Sequence, residues 1–235
     1  MQRYFSKKIE NDKITLYEQD IHHIIKVMRY KENDQIEVVS NEQVYLCNID
    51  SLEPFSISII KKYFEDRNLN INLTIGVSLV TEQKFDLILQ KLTELGVNKI
   101  IPLKTERSIV KIDGKKLSKK YERWQMICKE ASEQSHRTNI PIIGPIMNLE
   151  EISKENYALK LICSLTEQSK PLKDVLTKEI KHLLFIIGPE GGFSSQEETL
   201  LINNQFIPIS LGKRILRVET ATIYVASIIN YVYGG

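Results

Sequence analysis

From Ile71 onward, short apolar runs alternate with stretches of helical period, and this alternation narrows the possible folds more than any other feature. "INLTIGVSLV" (Ile71–Val80) reads as a strand, and "TEQKFDLILQKLTELG" as a helix with Phe85, Ile88, Leu92 and Leu95 on one stripe and Gly96 as its stop. "NKIIPLKTERS" is a second strand running into a loop. "KLSKKYERWQMICKEASEQS" is a long helix in which Leu117, Tyr121, Trp124, Cys128 and Ala131 recur at helical spacing. Further strands are expected at Ile140–Ile143, Leu159–Leu165, Leu183–Ile187 and Phe206–Leu211, with a final helix from Val218 to Val232. Strands alternating with helices predict a mostly parallel α/β sheet. Such sheets take ligands beyond the carboxyl ends of their strands.

Residues 1–70 have a different texture. Lys13–Tyr17, Gln35–Val39, Val44–Ile49 and Phe55–Tyr63 are strand-like, and "VVSNEQVYL" reads as a hairpin about Ser40–Glu42. One helix interrupts them, "EQDIHHIIKVMRY", with Ile21, Ile24, Ile25 and Met28 on one side. "FEDRNLN" (Phe64–Asn70) is polar and reads as a linker, so the expected division is a small β-rich module over 1–70 and an α/β domain over 71–235.

Composition removes several function classes. A 42% hydrophobic, 26% charged chain is ordinary for a soluble domain. No apolar run approaches the roughly 20 residues of a membrane span, and "MQRYFSKKIEND" lacks a signal-peptide core. Cys47, Cys128 and Cys163 are widely separated and suit buried thiols in a reducing compartment, with no metal spacing. A cytoplasmic protein without metal or membrane is therefore expected. Net charge is +2, but Lys104–Arg137 carries ten basic against five acidic residues, suited either to a solvated helix face or to a phosphate-contacting patch. Neither a Walker A lysine motif nor a G-x-G-x-x-G after the first strand is present.

Three strand ends run into loops of unusual composition: "SLTEQSK", "GPEGGFSS" and "LGKRILRVETA". In "IIGPEGGFSSQEE" (Ile186–Glu198) a buried strand meets a glycine turn, and Ser194 or Ser195 with Glu197 or Glu198 can open a capping box. Strand, glycine turn and helix start together aim backbone N–H groups at whatever lies above the sheet edge.

Taken in order, "QKLTELGVNKIIPLKTERSIVK", "RWQMICKEASEQSHRTNIP", "IGPEGGFSSQEE" and "LGKRILRVETA" resemble the RsmE family, bacterial enzymes that methylate N3 of a uridine in small-subunit (16S) ribosomal RNA. "RYF" near the start and "HHIIKVMR" resemble the family's N-terminal module, so the likeness covers nearly the whole chain. It implies a SPOUT-type knotted α/β domain behind a PUA-like β-barrel, S-adenosylmethionine as methyl donor, a homodimer, and small-subunit ribosomal RNA or the assembled 30S subunit as substrate. Gly188, Pro189, Glu190, Gly191 and Gly192 would then line the cofactor cleft, with Leu211, Gly212, Ile215 and Leu216 covering the adenine and Leu165 completing it. Arg3, Tyr4, Arg29, Arg107, Lys111 and Arg137 would contact RNA.

A sulfonium methyl is already activated, so the remaining demand is alignment of an in-line attack and removal of the uridine N3 proton. Glu190 and Glu219 are the candidate carboxylates, and Arg107 and Arg137 the candidate cations for charge on the uracil carbonyls. Plainer readings stand beside each: Glu190 as a loop cap, Glu219 as a helix-start carboxylate, and Arg107 and Arg137 as partners of Glu106 and Glu133. Competing functions are a SPOUT enzyme acting on another rRNA or tRNA nucleotide, or a non-catalytic RNA-binding assembly factor.

Overall fold

A computed structural model describes residues 1–10, 13–108, 110, 117–164 and 169–234. The chain forms two compact units: Met1–Arg67 with Lys129–Ile140, and Asn68–Cys128 with Pro141–Gly235. A return of Lys129–Ile140 to the N-terminal unit is something no single boundary near residue 70 contains.

In the first unit, β1 (Arg3–Phe5) pairs in parallel with β4 (Gln35–Ser40), which pairs antiparallel with β5 (Gln43–Leu52), and β5 with β6 (Phe55–Phe64). β2 (Lys8–Glu10) pairs antiparallel with β3 (Lys13–Thr15). Tyr4, Leu16, Ile24, Ile36, Val38, Cys47 and Ile49 form the core. The expected helix begins as α1 (Glu18–His22) but continues as a π-turn over His23–Val27, with the Met28 N–H donating to the His23 carbonyl. The extra residue per turn rotates later side chains off the stripe, so Ile24 is buried while Met28 is exposed. Arg29 closes the element in a left-handed conformation, with the Tyr30 N–H reaching back to the Ile24 carbonyl.

Arg3 and Tyr4 require a correction. Arg3 is 1% exposed: its Nε and Nη2 donate to Glu37 Oε2, Nη2 also to Glu65 Oε2 at 2.8 Å, and Nη1 to the His136 carbonyl. Tyr4 is equally buried, its hydroxyl 3.0 Å from His23 Nδ1. Side chains enclosed this way hold the unit together and cannot meet RNA. Beside them, Lys129 donates to both Asp20 oxygens and to Glu133 Oε1, while Glu133 also accepts from the Phe5 N–H.

The second unit is built on an all-parallel sheet. Among the described residues its order is β10 (Met147–Asn148), β8 (Lys99–Lys104), β7 (Asn72–Ser78), β13 (His182–Ile187), β11 (Leu159–Cys163), β14 (Ile207–Ser210) and β12 (Lys170–Pro171), with β9 (Ile142–Ile143) also on β8. Helices α2 (Glu82–Glu94), α4 (Leu149–Ser153), α5 (Ser195–Asn203) and α6 (Val218–Tyr233) flank it, while α3 (Leu117–Gln134) begins here and ends in the first unit. Phe85, Ile88, Leu89 and Leu92 bury the apolar face of α2, and the Phe85 ring lies 4.8 Å from that of Trp124 on α3. Central strands such as β13 read as unbroken apolar runs because both faces are covered.

Candidate functional site

β13, β11 and β14 are neighbours in the sheet and run in the same direction, so their carboxyl ends lie side by side. Described residues at and beyond these ends line a cavity of about 370 Å³, within the range of small-molecule sites. Cys163 and Ser164 enter it from β11; Gly188 to Phe193 follow β13; Leu211, Gly212, Ile215 and Leu216 follow β14. Val218 and Ala221 of α6 complete the apolar lining. All expected cofactor residues among the described ones thus meet in one place. Leu165 lies outside the described residues, as does Lys111.

Local chemistry explains the shape of the glycine loop. The Gly192 N–H donates to the Pro189 carbonyl at 2.8 Å, closing a tight turn. Ser194 caps α5 by accepting from the Glu197 N–H, and Glu197 Oε2 accepts from the Ser194 N–H at 2.8 Å, which is a full capping box. Gly192 has φ +67° and Gly212 φ +114°, and a Cβ built at either has no atom within 4 Å. Backbone that needs glycine and opens on empty space is what a ligand's close approach requires.

Cations surround this loop. Arg107 donates through Nη1 to the carbonyls of Gly191 at 2.7 Å and Phe193 at 3.3 Å, rather than pairing with Glu106. Lys84 pairs with Glu190 and, through that hydrogen bond, holds its carboxyl below the usual range. A shallow recess lined by Leu79, Val80, Thr81, Arg107 and Val110 lies on the same loop, and Pro189 and Glu190 line both it and the cavity. Glu219, in the first turn of α6, has one buried carboxylate oxygen without a hydrogen-bond partner among the described residues.

Arg137 is not among the residues that line this cavity. It belongs to the first unit, is 5% exposed, and directs Nε and Nη2 at Asn139 Oδ1. Its burial contradicts an RNA-facing catalytic cation. The His136 next to it is a helix stop: φ is +56° and the Arg137 N–H returns to the Ser132 carbonyl. Arg29 is exposed in the first unit.

Residue-by-residue reading had missed Cys163, Ser164, Phe193 and Glu198, all lining the cavity. Ser164 Oγ donates to Glu198 Oε1 at 2.8 Å, and burial pushes the Cys163 thiol up to about 11. For Cys163 and Ser164, their place at a strand's carboxyl end was the available signal.

The RNA methyltransferase domain model matches residues 67–230, and the RNA methyltransferase PUA domain model matches residues 16–60. A ribosomal RNA small subunit methyltransferase E from Bacillus subtilis is 35% identical, covering 98% of this chain and 96% of its own. The chain belongs to the ribosomal RNA small subunit methyltransferase E family. A member from Neisseria gonorrhoeae, solved bound to S-adenosyl methionine, superposes with TM-score 0.91 at 30% identity, covering 100% of this chain and 98% of its own. A putative methyltransferase from Legionella pneumophila, in complex with the bound cofactor SAM, reaches TM-score 0.92 at 29% identity over 98% and 97% of the two chains. Membership fixes the fold class as a SPOUT-type α/β domain preceded by a PUA-like domain. No helix among the described residues is long and apolar enough to cross a membrane.

Proposed function

We propose that the chain methylates N3 of a uridine in small-subunit ribosomal RNA, with S-adenosylmethionine as donor. The observation that carries this is the convergence of three parallel strand ends on one cavity, floored by the open backbone of Gly192 and Gly212. That cavity suits an adenosine: amides and carbonyls of the glycine loop for its polar edges, and Leu211, Ile215 and Leu216 for its apolar face. When bound, S-adenosylmethionine supplies a methyl group already activated by its sulfonium. The protein's share is then to hold the uracil in line with it and to receive the N3 proton.

Glu219, beside Val218 of the cavity lining, is the second candidate proton acceptor, although its unpaired carboxylate oxygen is buried. Glu190 is held ionised by Lys84, which makes it a weak base. Arg107 brings a positive charge to the recess, and exposed Lys213, Arg214 and Arg217 offer phosphate contacts next to the cavity. The same reading includes a knotted cofactor domain, an RNA-binding role for residues 1–70, action in the cytoplasm on rRNA or the 30S subunit, and a homodimer. Tyr224 and Tyr231, two turns apart on α6, support the dimer: Tyr231 is 89% exposed, an unusual position for an unpartnered aromatic side chain. Light scattering at micromolar concentration should give twice the chain mass, and a monomer would exclude that part.

Mapping of small-subunit rRNA in cells with and without the gene tests the activity itself. N3-methyluridine should disappear at one site on deletion and return with the purified protein and S-adenosylmethionine. An unchanged map would overturn the assignment.

A further inference from the structure

The loop Thr105–Ser108 after β8 and the glycine loop after β13 are joined at three levels. At their base, Ser78 Oγ donates to the Ile187 carbonyl and Thr105 Oγ1 to Ser78 Oγ, with Ser108 Oγ 2.7 Å from Thr105 Oγ1. At the tip, Arg107 reaches the carbonyls of Gly191 and Phe193. The third level is Glu197. Its Oε2 completes the capping box with the Ser194 N–H, and its Oε1 accepts from the Glu106 N–H at 2.8 Å, 91 residues away in sequence.

A capping box needs only one carboxylate oxygen. The second, turned outward onto Glu106, has no part in starting α5. We infer that Glu197 is a positioning residue that locks the Arg107 loop to the glycine loop, so that occupation of the cavity and of the recess beside it are energetically coupled; this rests on the cofactor and RNA reading above. The residue type follows from the donors. Two backbone N–H groups face two acceptor oxygens, and a glutamine would offer one acceptor and set an N–H against the other donor. Coupling through the tie is reciprocal: cofactor that orders the glycine loop strengthens binding at the Arg107 loop, and RNA strengthens cofactor binding equally.

Glu197→Gln and Ser194→Ala separate this role from capping. Both disturb the start of α5 and should lower the melting midpoint. Ser194→Ala leaves the Glu106 amide bonded, so its hydrogen exchange should stay slow. In Glu197→Gln the exchange of that amide should rise about tenfold or more. Calorimetry of S-adenosylmethionine with and without a small-subunit rRNA fragment gives the coupling factor. It should fall from the usual range of about 5–150 toward 1 in Glu197→Gln and stay at the wild-type value in Ser194→Ala. A protected Glu106 amide in Glu197→Gln, a wild-type factor of 1, or an equal fall in both variants would overturn the inference. Absence of methylation by the wild type would instead refute the functional reading, while amide exchange still decides whether the tie exists.

Discussion

Arg107 Nη1 lies 2.7 Å from the Gly191 carbonyl, across 84 residues of sequence. A side chain that the family resemblance marks as an RNA contact is thereby part of the scaffold of the glycine loop. Its charge still lies at the recess, so one residue serves the loop's shape and the local field together.

Arg107→Ala should therefore weaken cofactor binding as well as turnover. A hydrogen bond from a charged donor, reduced here by exposure, is worth about 1 kcal/mol, so an approximately fivefold to tenfold rise in Kd is expected. Arg107→Lys, with a single ammonium in place of the planar fork, should recover only part of it. An alanine variant with wild-type affinity by calorimetry would show that the loop holds its own shape.

Gly192→Val tests the open backbone. At φ +67° a branched residue is strained by roughly 1–2 kcal/mol, and its side chain would stand where the space is now empty. The variant should fold with a lower melting midpoint and bind S-adenosylmethionine at least about tenfold more weakly. Unchanged affinity in the folded variant removes this loop from the site.

Acid stability should report on the Arg3 cluster. Arg67, then Arg3, holds the Glu65 carboxyl down to about 2 from its ordinary 4.5. Burial opposes ionisation of Glu37, but Tyr63, Arg3 and His136 outweigh it and its carboxyl is lowered too. Folded carboxyls with depressed values bind protons less readily than unfolded ones. Their contribution is thus complete above about pH 4.5 and is lost as pH falls toward 2. Solvent screening limits it to the order of 1 kcal/mol. Arg3→Met should be less stable at pH 7 and show a flatter decline over that window by circular dichroism. Parallel curves for the two proteins would contradict it.

Cys163 gives a probe of the cavity. With its thiol raised to about 11, only a very small thiolate fraction exists at neutral pH. Alkylation by iodoacetamide should be slow at pH 7.5, quicken about tenfold per pH unit up to that value, and slow further when S-adenosylmethionine is added. Rapid neutral labelling, or labelling indifferent to cofactor, would place the thiol elsewhere.

How much of this was legible in the sequence depends on how local its cause is. The Ser194–Glu197 capping box, the stop at Gly96 and the apolar stripe of α2 depend on near neighbours, and all can be read from spacing. The cavity was legible because three odd loops each follow a strand. Two-residue strands such as β10 and β12 are too short to carry a pattern, and the π-turn after α1 looks like ordinary helix. Burial of Arg3 was invisible for a different reason. One of its acceptors, the His136 carbonyl, is 133 residues away, and nothing in "RYF" announces it.

That long reach has a consequence for synthesis. Asp20, the Phe5 N–H and the Arg3 guanidinium acquire Lys129, Glu133 and the His136 carbonyl only from a segment made after more than sixty residues of the second unit. At translation speeds of about 5–20 residues per second, the β-strands of the first unit emerge several seconds before their last partners. Until then a buried cation site, an acidic group and a strand N–H stand open to water. The N-terminal unit therefore cannot finish folding until the chain has been made through Ile140.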